Sequence, residues 1–240
     1  AGMLTPPNLL RILRTSSVFM DIDGGRRVKV VCRYQQFRAA GKIVERLRRG
    51  TTATARSGVV WHTQGSGKSL TMVFLARMLR SSADLNDYKI VLVNDRADLE
   101  DQLGDTATLI GGRVNVIETR QDLRRQLATD SSDINMVMVH KFQERKETLS
   151  NTVAEALGTY LAIPAGKTFG IVNASDRIIL LIDEAHRTQS SDLGDHLFEA
   201  FPNATRIAFT GTPLITERHG EKKTHRRFGE YIDTYRLMDS

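Results

Sequence analysis

The sequence predicts an α/β domain, a mostly parallel sheet with helices on both faces. Three observations carry this. Apolar, β-rich runs recur along the chain. Helical patterns fall between most of them. The runs are nearly continuous in Val, Ile and Leu rather than alternating, as strands covered on both sides require.

Taken in order, residues 1–32 read as an N-terminal linker, and the domain proper is expected over 33–240. The first helical pattern covers about 36–49. A strand follows at 58–61 (GVVW), then a helix at 68–81. Further strands are expected at 89–94 (KIVLVN), 113–118 (RVNVIE), 133–140 (DINMVMVH), 177–182 (RIILLI) and 205–210 (TRIAFT). Helices near 97–103, 120–129, 141–150 and 190–200 separate them. Residues 151–176, with Pro164, three glycines and many small residues, break the rhythm and read as a long loop. The highly charged tail from Pro213 to Ser240 shows no clear strand.

With 240 residues, 40% hydrophobic and 26% charged, the chain suits a soluble globular protein. No apolar run is long enough to span a membrane. One cysteine, Cys32, excludes an internal disulfide and suits a reducing cytosol. Lys and Arg number 34 against 28 acids, a balance of +6 that suits a polyanion partner. The basic residues gather in "RRVKVVCRYQQFR", "VERLRRG" and "EKKTHRR".

The most informative stretch is "VVWHTQGSGKSLTMVFLARML". A strand delivers the chain to the carboxyl edge of a parallel sheet, where ligands of such folds bind. Gly65 and Gly67 let the backbone curl so that successive N–H groups over Thr63, Gln64, Gly65, Ser66, Gly67, Lys68 and Ser69 face inward. With the N-terminus of the following helix they form a phosphate cradle. Lys68 adds a cation for the β- and γ-phosphates, and the Ser69 hydroxyl is suited to ligate Mg²⁺. His62 stands where the usual P-loop formula has Gly. The plain alternative is a glycine turn beside a surface lysine.

A second apolar run ends directly in acids: "IILLIDEAHRTQ". Asp183 at the strand end can hold Mg²⁺ through water, while Glu184 orients and deprotonates an attacking water. Two acids there are costly unless positive charge sits beside them, and Mg²⁺ and Lys68 supply it. His186, lacking a partner at zinc spacing, reads as a hydrogen-bonding coupler near the γ-phosphate.

These motifs resemble those of superfamily 2 helicases and translocases. In detail "WHTQGSGKSLTM", "NDRADLEDQL", "DEAHRTQ" and "FTGTPL" resemble the motor (R) subunit of type I restriction endonucleases. "RYQQFRAAGKI" resembles that subunit's stretch ahead of the P-loop, in which a glutamine recognises adenine; the resemblance gives that role to Gln36, with Gln35 the alternative. It further implies a RecA-like fold, ATP and Mg²⁺ as cofactors, and ATP-driven translocation on double-stranded DNA. Thr210 and Thr212 would couple nucleotide state to DNA grip, and Arg96, His140 and Lys141 would face DNA. The same resemblance implies a second RecA-like domain, a nuclease domain in the same full-length subunit, and modification and specificity subunits in a prokaryotic cytoplasm. Residues 1–32 carry no nuclease signature, and no second-domain motif follows residue 213, so a first motor domain is expected. Another superfamily 2 remodeller, or an ATP-binding module without turnover, are the alternatives.

Overall fold

The computed structural model describes residues 2–22, 25–94, 109–110, 113–117, 119–138, 170–183, 198–211 and 228–236. Its centre is a seven-stranded sheet, and every pairing in it is parallel. The strands are β3 (Gly58–His62), β4 (Lys89–Asn94), β5 (Val114–Ile117), β6 (Ile134–Met138), β7 (Ile178–Ile182), β8 (Thr205–Thr210) and β9 (Tyr231–Tyr235). Their spatial order is β5-β6-β4-β7-β8-β3-β9.

Side chains of successive strand residues leave opposite faces of a pleated sheet. The apolar runs therefore feed two cores at once. Val60, Ile90, Leu92, Met136, Ile179, Leu181, Ile207 and Phe209 join one cluster, together with helices α1 (Pro6–Thr15), α2 (Tyr34–Arg49) and α4 (Lys68–Ser81). Their neighbours Val59, Val91, Val93, Val137, Ile178, Leu180, Ile182 and Ala208 join the other, against Leu123 and Leu127 of α5 (Arg120–Leu127). The helix α4 is buried round most of its circumference, including Phe74, Leu75 and Leu79. By contrast α2 is amphipathic, with Ala39, Ala40, Ile43 and Leu47 inward and Arg46, Arg48 and Arg49 in its last turn. The short α3 (Ala53–Arg56) is capped by Thr52, whose hydroxyl accepts from the Ala55 N–H at 3.1 Å.

The six strands expected from the apolar runs all form. Two features depart from expectation. The 213–240 tail contains β9, which extends the sheet beyond β3 at its edge. Residues 1–32 hold α1 and an antiparallel hairpin of β1 (Ser17–Ile22) and β2 (Arg26–Val31). Ile12, Val18 and Cys32 are buried in the same apolar cluster as Phe37. The helices expected near 97–103 and 141–150 lie outside the described residues. Of 151–176, the described part is anchored through Asn173, whose Nδ2 donates to the Leu127, Ala128 and Thr129 carbonyls ending α5. No described helix is long and apolar enough to cross a membrane.

Candidate nucleotide-binding site

Because the sheet is parallel, β3, β7 and β8 all deliver their carboxyl ends to one edge. The chain leaves β3 at His62 and enters α4 at Lys68 through the glycine loop. Gly65 and Gly67 both take φ 79°, a left-handed value that costs other residues roughly 1–2 kcal/mol. At Gly67, the N-cap of α4, a Cβ would also press on Gln36 Nε2, which would have to leave its hydrogen bond to the Gly67 carbonyl. Around Gly65 a Cβ would meet nothing within 4 Å, so the loop's crest is open. The Ser66 N–H donates to the Thr63 carbonyl at 3.2 Å, closing the turn. Ser66 Oγ is buried without a protein partner, an orphan polar atom inside the cradle. An open crest, a bare helix N-terminus and an orphan hydroxyl fit a phosphate chain.

Lys68 is buried, and its Nζ lies 3.5 Å from the His62 carbonyl. A Cβ placed on Gly211, just past β8, would come within 3.2 Å of that Nζ. The ammonium thus sits over the end of β8, between β3 and β7. Asp183 is buried one residue past β7, held by its N–H to the Val93 carbonyl at 2.9 Å. Two strand spacings separate it from β3, roughly 10 Å. The lysine, the loop and Asp183 therefore share one edge, as the motifs require. Thr210, fully buried, pairs in register with Trp61 between them. No group of three or more His, Cys, Asp or Glu among the described residues is placed to hold a metal.

Gln36, in the first turn of α2, reaches the same loop. Its Oε1 accepts from the Arg33 N–H at 2.7 Å, and its Nε2 donates to the Gly67 carbonyl at 2.9 Å. A primary amide has two N–H bonds and two lone pairs. One of each remains. Gln35 is also buried.

Sequence reasoning missed one group. His62, fully buried, has Nε2 2.8 Å from Asp233 Oδ2 on β9. Arg38 Nη2 donates to the same carboxylate at 3.0 Å, and Lys42 Nζ at 2.8 Å. Burial acts most strongly on Asp233 and pushes its carboxyl up. The hydrogen bonds from His62, Lys42 and Arg38 together outweigh that and hold it below the usual carboxylate range. The available signal was the histidine at a glycine position. Trp61 and Phe209 are buried, as core residues should be.

Glu184, His186, Thr212, Arg96, His140 and Lys141 lie outside the described residues, as does "EKKTHRR". The "VERLRRG" cluster is largely occupied within the protein. Arg46 donates to the Ala55 carbonyl, Arg48 pairs with Asp84 at 2.7 Å, and Arg49 with Glu45 at 2.6 Å.

The chain is 32% identical to the endonuclease subunit of the type I restriction enzyme HindI of Haemophilus influenzae, over all of this chain and 22% of that subunit. It is 30% identical to the type I restriction enzyme SsaAORF53P endonuclease subunit of Staphylococcus saprophyticus, over 82% of this chain and 20% of that one. The chain thus spans about a fifth of the length of these curated relatives. Among solved structures, the Pyrococcus furiosus Hef helicase domain aligns with a TM-score of 0.47 at 13% identity, covering 77% of this chain and 36% of that one. The model of the SWI2/SNF2 ATPase family matches residues 35–240. The chain belongs to the SWI2/SNF2 ATPase family.

Proposed function

We propose that this chain is the first RecA-like motor domain of a type I restriction enzyme R subunit, in which ATP hydrolysis drives movement along double-stranded DNA. The observation that carries the reading is the meeting, at one sheet edge, of the glycine loop, Lys68 and Asp183, with Lys68 Nζ close against Gly211.

In this reading the loop amides from Thr63 to Ser69 bind the phosphate oxygens, and Lys68 neutralises charge that grows on them. Ser69, and Asp183 through water, would hold Mg²⁺, which supplies charge neutralisation across the β- and γ-phosphates when bound. Glu184 would take the proton of the attacking water, and Gln36 would read adenine through the donor and acceptor it still has spare. His186, Thr210 and Thr212 would couple the site to DNA, with Arg96, His140 and Lys141 touching its backbone. DNA cleavage would belong to a nuclease domain of the full-length subunit, and target choice to modification and specificity subunits, in a prokaryotic cytoplasm. Support for this reading comes from the relatives, which are named endonuclease subunits of type I restriction enzymes.

The test is phosphate release by the intact subunit, with and without duplex DNA. We expect Lys68→Ala to reduce turnover at least a hundredfold, and the wild type to be stimulated by DNA. Turnover by Lys68→Ala at the wild-type rate would remove the assignment. Unstimulated wild-type turnover would retain the ATPase and remove the translocase.

A further inference from the structure

The glycine loop is held at both ends, and both holds lead back to α2. At its exit, Gln36 Nε2 donates to the Gly67 carbonyl. At its entrance, the Thr63 N–H donates to the Tyr235 carbonyl of β9 at 3.1 Å. One residue earlier the His62 ring meets Asp233. Asp233 is itself fixed by Arg38 and Lys42, which follow Gln36 on the same helix. Arg38 Nη2 also donates to the Thr234 carbonyl at 2.8 Å, pinning β9 beside it.

The register explains how this carboxylate reaches the loop. Val59 pairs with Tyr231 but Val60 with Asp233, so Ile232 is an extra residue in β9. The bulge turns Asp233 onto the same face as Val60 and His62, the α2 face. Without that shift the carboxylate would face away from the histidine. A carboxylate only accepts, so the ring nitrogen facing it, Nε2, carries the hydrogen. The ring orientation is thereby fixed, and with it the His62 backbone, whose carbonyl lies 3.5 Å from Lys68 Nζ.

We propose that Asp233 is a positioning residue for nucleotide binding: through His62 it sets the entrance of the phosphate loop and the carbonyl against which Lys68 rests. Asp233 itself touches no substrate. The inference rests on the nucleotide-binding reading of the loop. It accounts for a histidine at the first loop position, where a glycine would leave the Asp233 carboxylate with one donor fewer in a buried setting.

The experiment is equilibrium binding of Mg·ATP to the full chain at a temperature well below each variant's melting point, with unfolding measured separately without nucleotide. His62→Leu and Asp233→Asn are each expected to weaken ATP at least tenfold. His62→Gln, whose Nε2 can occupy the position of the ring Nε2, is expected to stay within threefold of wild type. The double variant of His62→Leu with Asp233→Asn should be no weaker than the poorer single. ATP binding by folded His62→Leu within twofold of wild type would overturn the proposal and leave the nucleotide reading standing. Equal loss with Leu and Gln would overturn it too. If Asp233→Asn does not fold, the Leu and Gln pair at His62 decides alone. If the wild type fails to bind ATP and Lys68→Ala does not differ from it, the nucleotide reading itself falls, and the inference with it.

Discussion

Gly67 shows how much one residue carries. Its φ of 79° and the approach of Gln36 are two separate demands, and only glycine meets both. Gly67→Ala would pay the left-handed penalty and push Gln36 Nε2 from its carbonyl partner. We expect ATP affinity to fall at least tenfold, read by the same titration, while the melting temperature falls by a few degrees; unchanged affinity would show that the Gln36 contact is dispensable. At this scale the sequence was legible wherever chemistry follows spacing. Gly65, Gly67, Lys68, Ser69 and Asp183 stand at one edge because a loop and a strand end place them there. His62 was not legible, since nothing near it in the chain announces a carboxylate 171 positions away.

Among the elements, the six strands anticipated from their apolar runs were the easy ones, because burial on both faces writes itself into composition. β9 was hidden for the opposite reason. It is an edge strand, only Asp233 among its residues is fully buried, and aspartate is a poor strand former. Its place depends on tertiary contacts. Gly58 is one: a Cβ there would come within 2.5 Å of Ile232 Cγ1 and 2.8 Å of the Glu230 carbonyl. Gly58→Ala is therefore expected to force β9 outward and cost roughly 1–3 kcal/mol in denaturant unfolding. ATP should weaken alongside, because Tyr235 and Asp233 move with the strand. A variant as stable as wild type would mean that β9 can rest further from β3 at no cost. The β1–β2 hairpin had a visible cue, Asp23-Gly24-Gly25 between two apolar-rich runs, which the reading of a linker passed over.

Across the whole molecule, both ends of the sheet depend on a carboxylate that stays ionised. Asp233 lies near the carboxyl edge. At the other end Asp133, just before β6, accepts from Lys89 Nζ at 2.9 Å, and the Lys89 side chain is only 2% exposed. The lysine's remaining bonds go to neutral acceptors, the Gln126 carbonyl and the Thr129 and Ser131 hydroxyls. Burial, the strongest influence on Asp133, raises its carboxyl. The hydrogen bonds from Lys89 and Asn135 and the lysine's charge outweigh it, so the group titrates below its ordinary 3.8. A carboxylate depressed by folding binds fewer protons folded than unfolded. Its stabilisation is full above pH 3.8 and is lost as pH falls from there through the folded value, at most about 1.4 kcal/mol per pH unit for one group. Unfolding free energy measured by denaturant from pH 7 to pH 2.5 should thus fall steeply below about pH 4. Asp133→Asn should be less stable at neutral pH by roughly 1–3 kcal/mol, because Lys89 keeps a buried charge without its counter-ion. The gap from wild type should close as the acid limb is descended, and a gap that stays constant would show that Asp133 contributes packing and not charge. ATP affinity at neutral pH separates the two ends of the sheet. Asp133→Asn should leave it within twofold of wild type, since Lys89 begins β4 and so stands at the edge of the parallel sheet opposite the glycine loop, whereas Asp233→Asn should lose it.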